Sequence, residues 1–402
     1  MKNNNGLSYA CLFGGGAIRG MAFIGAIKAL EELGIKPSKF AGSSVGSIIA
    51  VMYAFGYTSE EIKEKFIDVN FNLFKDIQFR FGKTPALSKG NVFLDWVREI
   101  VEEKFYDKDA APNERKPVTF KDLKEDLVII TTDIENFKCQ EFSKYTTPDY
   151  EIASAVRISC CMPGLMKPME YENKLLVDGD LQKSVPMWQL SKTLLNSKER
   201  ILELRLEGTC GKDGEVSNGI DYANAVYSCM TSISSDFISR TYGKRDKFDY
   251  IIVNTGDILL VNFNIAREER EQLIQAGYEQ TLSYFKNVLP SKKKAIVENY
   301  NIIHGHLLRI FNALKVNNFK LAKVNIGELF INLIELYRII DLDDFKKIKN
   351  FKDMFFGNYK ELGILGISKL KNSKMVKSEL KNIIYSVEEK IEELNGYIKL
   401  FE

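Results

Sequence analysis

Ser8-Tyr9-Ala10-Cys11-Leu12-Phe13-Gly14-Gly15-Gly16-Ala17-Ile18-Arg19-Gly20 starts as an apolar run, passes through three glycines and leads into a helical pattern that stops at Gly34. A short apolar run bounded by glycine reads as a strand buried on both faces, Ser8–Phe13, with a helix to follow over Arg19–Leu33. Glycines permit positive φ and close approach, so successive backbone N–H groups can converge on one point. The positive end of the next helix adds to that field. The loop is therefore a receptor for negative charge, either a phosphate or a transient oxyanion. A plain tight turn is the alternative.

Moving outward, Gly42-Ser43-Ser44-Val45-Gly46 lies between a short strand ending at Phe40–Gly42 and an apolar helix, Val45–Phe55, that ends at Gly56. This fits the G-x-S-x-G elbow, a sharp strand-to-helix turn that lifts the central hydroxyl above a sheet. Gly42 and Gly46 are needed because a Cβ at either position would clash inside the turn. Only Ser44 has the elbow position, so Ser43 and Ser47 read as structural. Further on, Leu175-Leu176-Val177 leads into Asp178-Gly179-Asp180. An acid at a strand end before glycine is either a turn residue or a partner able to take a proton from Ser44.

Buried-type strands are expected at Asp126–Thr131, Arg200–Leu206 and Tyr250–Asn254, with helices at Asp221–Arg240 and Arg267–Phe285. Strands alternating with helices predict an α/β domain on a mainly parallel sheet over residues 1–289. Pro290-Ser291-Lys292-Lys293-Lys294 reads as a break, since proline and charge together punctuate elements. Residues 290–402 then read as an all-helical region carrying a basic excess. Within it Leu380, Ile384, Val387, Ile391, Leu394, Ile398 and Phe401 form an a/d-spaced stripe, interrupted by Asn395-Gly396.

The chain has two histidines, His304 and His306, both in the helical region. A Ser-His-Asp triad needs an imidazole beside the serine, and residues 1–303 contain none. If Ser44 is a nucleophile, either His304 or His306 reaches back from the helical region or its base is a carboxylate; a carboxylate base predicts a kcat/KM profile without an imidazole limb near ~6.5.

The glycine loop closing on Arg-Gly, the G-x-S-x-G elbow and the distal Asp-Gly resemble the patatin-like phospholipases. The resemblance spans residues 8–286. It includes Ile158-Ser159-Cys160-Cys161-Met162-Pro163-Gly164, and Val261-Asn262-Phe263 leading to Gln275-Ala276-Gly277-Tyr278. It implies a three-layer α/β fold and a serine–aspartate dyad, with Ser44 as nucleophile and Asp178 as base. It also implies an oxyanion hole from the backbone of Gly14, Gly15, Gly16 and Ala17, with Arg19 orienting that loop or the substrate. The implied reaction is release of fatty acid from a lipid ester such as a (lyso)phospholipid, with no cofactor and no metal. Two positions depart from the family pattern. Ala17 stands where a third glycine is usual. Asp180 stands where Gly or Ala follows Asp-Gly, and either repels Asp178 electrostatically or faces solvent.

Composition is consistent with this. The chain has 402 residues, 45% of them hydrophobic, and 56 Lys+Arg against 54 Asp+Glu. That balance argues against nucleic acid as a partner. Six cysteines without a C-x-x-C pair argue against a disulfide framework. No apolar run approaches the ~20 residues of a bilayer span, and no leader is evident. The expected setting is cytoplasmic, with peripheral membrane contact an open option. Lys346-Lys347-Ile348-Lys349 and the lysines along 369–381 would meet anionic headgroups or simply form a solvated face. Phe71, Phe74, Phe79 and Phe81 would form a lid, an acyl-chain wall or part of the core. Two rivals stand beside the hydrolase. A dinucleotide site lacks the acid expected at the end of the second strand. A non-catalytic scaffold would keep the fold and bind a partner through its helical region.

Overall fold

The strand Tyr9–Phe13 is buried along its whole length, as a strand inside a parallel sheet must be. It belongs to a computed structural model that describes residues 8–71, 74, 77–80, 86–107, 115–182, 199–208, 225–226, 245–258, 260, 264–336, 342–360 and 373–400. The chain divides into two compact units, Met1–Arg240 with Phe248–Tyr284, and Thr241–Lys247 with Phe285–Glu402.

The strands of the first unit, in chain order, are β1 (Tyr9–Phe13), β2 (Lys39–Ser43), β3 (Ile77–Arg80), β4 (Ala86–Ser88), β5 (Asp126–Asp133) and β6 (Lys138–Ser143). They continue with β7 (Gly164–Met166), β8 (Met169–Tyr171), β9 (Lys174–Asp178), β10 (Arg200–Glu207) and β11 (Phe248–Asn254). The main sheet runs β11-β10-β1-β2-β5-β9-β8, with β6 also on β5; β3, β4 and β7 form a second, small sheet. From β11 through β5 every pairing is parallel, while β6 and β9 lie antiparallel to β5. This is a mixed α/β architecture on a mostly parallel central sheet.

One register detail positions the site. Ser43, the last residue of β2, pairs with Ile130 of β5. The next residue, Thr131, pairs with Asp178 of β9. Because β6 occupies the other edge of β5, β9 takes up the edge that β2 leaves. The ends of β2 and β9 therefore meet side by side.

The helices of this unit are α1 (Met21–Glu32), α2 (Val45–Ala54), α3 (Ser59–Ile67), α4 (Asn91–Phe105), α5 (Ile152–Ser159) and α6 (Arg267–Ser283). Helix α2 is apolar around most of its circumference and almost wholly buried, as expected of a helix enclosed in a core. Phe13 of β1 packs edge-on against Phe23 of α1 and Tyr53 of α2. On the other face of the sheet, Ala10, Leu12, Ala41, Val128 and Ile130 form a second buried cluster. Helix α1 crosses α6 at Gly25 and Gly277. A Cβ on Gly25 would lie 1.7 Å from the Ile274 carbonyl oxygen, and one on Gly277 would lie 1.8 Å from that of Ala22.

The second unit contains α7 (Leu289–Lys315), α8 (Phe319–Leu336), α9 (Leu342–Lys360) and α10 (Ser373–Ile398). Tyr300, Leu307, Leu329, Phe351, Phe355 and Leu380 are among the residues of its core. Asn318 caps α8 by accepting the Leu321 amide at 3.0 Å, satisfying a donor that the first helical turn leaves open. Ile348 faces the core whereas Lys346, Lys347 and Lys349 are exposed. Asp246 is buried between two lysines: Lys293 Nζ lies 2.5 Å from Oδ1 and Lys390 Nζ 2.8 Å from Oδ2.

Two expectations need correction. Pro290 does not interrupt the chain's helical course. A π-helical turn, Tyr284–Val288, lies between α6 and α7, and Pro290 is the second residue after it; the wider turn accommodates a residue that has no N–H to donate, so the helical course persists. Likewise Asn395-Gly396 stays within α10, which continues to Ile398 with Leu394 and Ile398 buried. A core-facing stripe on both sides outweighs the ~1 kcal/mol helix penalty of one glycine. The helix expected at Asp221–Arg240, apart from residues 225–226, lies outside the described residues. So do Val261–Phe263, Lys369, Lys371, Phe401, Phe81 and the side chain of Phe79. Among the described residues, no helix is long and apolar enough to cross a membrane.

Candidate active site

Ser44 joins β2 to α2 with φ 51° and ψ −134°, a conformation that L-residues avoid at a cost of order 1–3 kcal/mol. The surroundings hold it there. A Cβ on Gly46 would lie 2.1 Å from the Phe13 carbonyl oxygen, so only glycine lets the elbow lean on β1. Both the amide and the hydroxyl of Ser47 donate to the Ser44 carbonyl, at 2.8 and 2.6 Å. On the other side the Ser44 amide donates to Ser159 Oγ at 2.9 Å, and that hydroxyl donates to the Ile130 carbonyl at 2.7 Å. No sequence pattern marks Ser159 for this role; its place in Ile158-Ser159-Cys160 is its only signal.

Because β9 follows β2 along the edge of β5, Asp178 arrives beside the elbow. The Ser44 hydroxyl donates to Asp178 Oδ2 at 2.7 Å. Asp178 is fully buried and Ser44 nearly so. The other carboxylate oxygen accepts the Asp180 amide at 2.8 Å, and the Asp178 amide donates to the Cys161 carbonyl at 2.9 Å. The carboxylate is thus held in one orientation by its own turn. Burial first, and then the charge of Asp178, push the Cys160 thiol well above its ordinary pKa. Cys160 therefore stays a protonated thiol beside the pair.

The glycine loop follows β1. The Gly14 amide continues the sheet ladder, donating to the Leu204 carbonyl at 2.9 Å. The Gly15 amide donates to Asp180 Oδ1 at 3.0 Å. Ala17 has φ 47°, the left-handed region. Arg19 is buried, and its Nε donates to the Ile258 carbonyl at 2.6 Å.

Asp180 is 1% exposed and does not face solvent. Its Oδ1 also accepts the Ser43 hydroxyl at 2.5 Å and lies 4.0 Å from Arg205 Nη1. Arg205 is clamped to Glu203, with Nε and Nη2 at 2.7 and 2.6 Å from the same oxygen. Burial would favour loss of its proton, but Glu203, Tyr250 and Asp180 override it and hold the guanidinium above its ordinary pKa. Sequence spacing offered a signal here: Glu203 and Arg205, two apart in a buried strand, face the same way.

The remaining candidates fall elsewhere. His304 Nε2 lies 2.8 Å from Glu388 Oε1, and His306 contacts Arg309 and Asn332, all within the helical unit. Burial first, then Arg309, lowers the His306 pKa and favours its neutral form. Phe71 and Phe74 join Phe66, Phe93 and Trp96 in a cluster of tilted and edge-to-face rings.

The sequence pattern of the patatin-like phospholipase family matches residues 12–190, from β1 through the glycine loop and elbow to beyond Asp178. The chain is also 30% identical over 275 residues to the uncharacterized protein R571 of Acanthamoeba polyphaga mimivirus, covering 65% of this chain and 89% of that protein. The chain belongs to the patatin-like phospholipase family. Two further relatives lie within reach of this patatin-like sequence. The uncharacterized protein YqhO of Bacillus subtilis is 26% identical over 304 residues, covering 68% of this chain and 97% of its own length. The probable lipid hydrolase 463L of Invertebrate iridescent virus 6 is 28% identical over 177 residues, 43% of this chain and 60% of that protein.

Proposed function

We propose that the chain hydrolyses ester-linked lipid, releasing fatty acid from a phospholipid or lysophospholipid through an acyl-enzyme on Ser44. Family membership and a relative named as a probable lipid hydrolase support lipid hydrolysis at the coarser level. The finer reading is carried by one observation, the 2.7 Å hydrogen bond from Ser44 Oγ to Asp178 Oδ2 in a buried setting.

The steps follow from that pair. Ser44 Oγ attacks the ester carbonyl carbon while its proton passes to Asp178 Oδ2. A carboxylate of reference pKa ~3.9 is too weak a base to form a free alkoxide, so proton transfer accompanies attack. The carbonyl oxygen becomes an oxyanion facing amides of the glycine loop, each such donor being worth about 2.7–4 kcal/mol in comparable sites. Collapse expels the alcohol portion, which takes the proton from Asp178. Water then attacks the acyl-enzyme, giving a proton to Asp178; the acyl–Oγ bond breaks, Asp178 returns that proton to Ser44 Oγ, and the fatty acid leaves.

The test compares hydrolysis of a lysophosphatidylcholine and a phosphatidylcholine, with product identification, by the wild type, Ser44→Ala and Asp178→Asn. Both variants should lose at least ~10³-fold in kcat, and Ser44→Ala should no longer be labelled by a fluorophosphonate. Full labelling of Ser44→Ala, or wild-type turnover in Asp178→Asn, would overturn the assignment.

A further inference from the structure

Asp180 departs from the usual small residue after Asp-Gly, and the site makes extensive use of it. Its carboxylate is buried and binds two chain segments at once: the Gly15 amide at 3.0 Å and the Ser43 hydroxyl at 2.5 Å. Its own amide donates to Asp178 Oδ1 at 2.8 Å. One residue thereby connects the glycine loop, the strand end that carries Ser44 and the carboxylate that faces it. The contact with the loop is close: a Cβ on Gly15 would fall 1.8 Å from Asp180 Oδ2 and 2.8 Å from Ser44 Cβ.

We propose that Asp180 is the positioning residue of the oxyanion loop, occupying the Gly15 amide so that the amides of Gly16 and Ala17 meet the reacting oxygen. This rests on the acyl-transfer reading above and refines it. An amide aimed at a carboxylate oxygen cannot also point at an oxyanion, and the carboxylate behind it would repel the charge developing there. The Gly14 amide is spent on Leu204. The loop continues with Gly16 and then Ala17 in the left-handed region, a turn geometry in which neighbouring N–H groups can converge on an anion.

The proposal separates three variants by active-site titration with a fluorophosphonate, which normalises for folded enzyme, followed by steady-state hydrolysis of p-nitrophenyl butyrate. Asp180→Gly frees the loop and should lower kcat by about 10²–10³-fold, with little change in KM. Asp180→Asn keeps an acceptor for Gly15 and Ser43 and should recover most of that loss. Wild-type kcat in Asp180→Gly overturns the proposal. So does an Asp180→Asn as impaired as the glycine variant, because charge rather than positioning would then be responsible. If Asp180→Gly does not fold, the wild type labelled with [15N]glycine and [15N]alanine decides. On phosphonylation of Ser44 the amide protons of Gly16 and Ala17 should move downfield, and an equal or larger downfield move confined to Gly15 overturns the assignment. A wild type that neither reacts with the probe nor turns over refutes the acyl-transfer reading itself. A reactive wild type with indifferent Asp180 variants refutes only this inference.

Discussion

The amide of Ser44 donates to the hydroxyl of Ser159, 115 residues away in sequence, at 2.9 Å. The same hydroxyl donates its own hydrogen bond to the Ile130 carbonyl, so one buried side chain anchors the elbow to β5. Ser159→Ala leaves the Ser44 amide without its acceptor, at an expected cost of about 1–3 kcal/mol in unfolding free energy. It should also lower kcat by loosening Ser44 against Asp178. Urea denaturation paired with steady-state kinetics reads both effects, and a variant unchanged in each would show that Ser159 only fills space.

The absence of a histidine from residues 1–303 makes a sharp kinetic prediction. Removing a true general base costs about 10²–10⁴-fold. The double variant His304→Gln/His306→Gln, checked for folding by circular dichroism, should lose less than about tenfold in kcat/KM. A thousandfold loss in the folded protein would assign the base to an imidazole after all.

The crossing of α1 and α6 predicts a stability effect away from the chemistry. In Gly25→Ala the new methyl would meet the Ile274 carbonyl at 1.7 Å, backbone that cannot rotate aside. The helices must separate, costing about 2–3 kcal/mol despite alanine's better helix propensity. Gly277→Ala should behave alike, whereas Gly305→Ala, with nothing near its added carbon, should be stabilising by about 0.5–1 kcal/mol. Thermal unfolding of the three variants checks the contrast.

A contributor to acid sensitivity lies at the start of α3. The ammonium of Lys104, and then the Thr58 amide, hold the Glu61 carboxyl down at about 2, against an ordinary 4.5. A lowered folded-state pKa stabilises above the unfolded value and loses that contribution as pH falls. Glu61→Gln, which keeps an acceptor for the Thr58 cap, should cost about 0.5–1 kcal/mol at pH 7 because the pair is largely exposed. That difference should close between pH 4.5 and 2, as followed by urea denaturation. A gap that widens on acidification would contradict the ion pair.

Strands β1, β2, β5, β9, β10 and β11 and the three motifs are legible because each is local: apolar runs bounded by glycine, and fixed glycine spacing around Ser44; β3, β4, β6, β7 and β8 are too short or too polar to give such a run. What brings Ser44 to Asp178, 134 residues apart, is the register of β5 against β2 and β9, which no local pattern encodes. The role of Asp180 was hidden for the same reason, since its partner Gly15 lies 165 residues away. Pro290 misled because the π-helical turn before it accommodates a residue without an N–H, a device that residue type alone does not reveal. Gly396 misled because packing on both sides overrode its intrinsic preference.

The pairing of β1 with β10 sets a limit on trimming the protein. The family pattern ends at residue 190, yet Gly14 of the loop depends on Leu204, and β1 depends on Arg200–Leu204 for its outer neighbour. A fragment stopped at 190 would hold Ser44, Asp178 and every glycine of the motifs, but would present β1 as a bare, apolar sheet border. Such borders recruit strands from other molecules. Insoluble aggregates, rather than a minimal hydrolase, are what that fragment should yield.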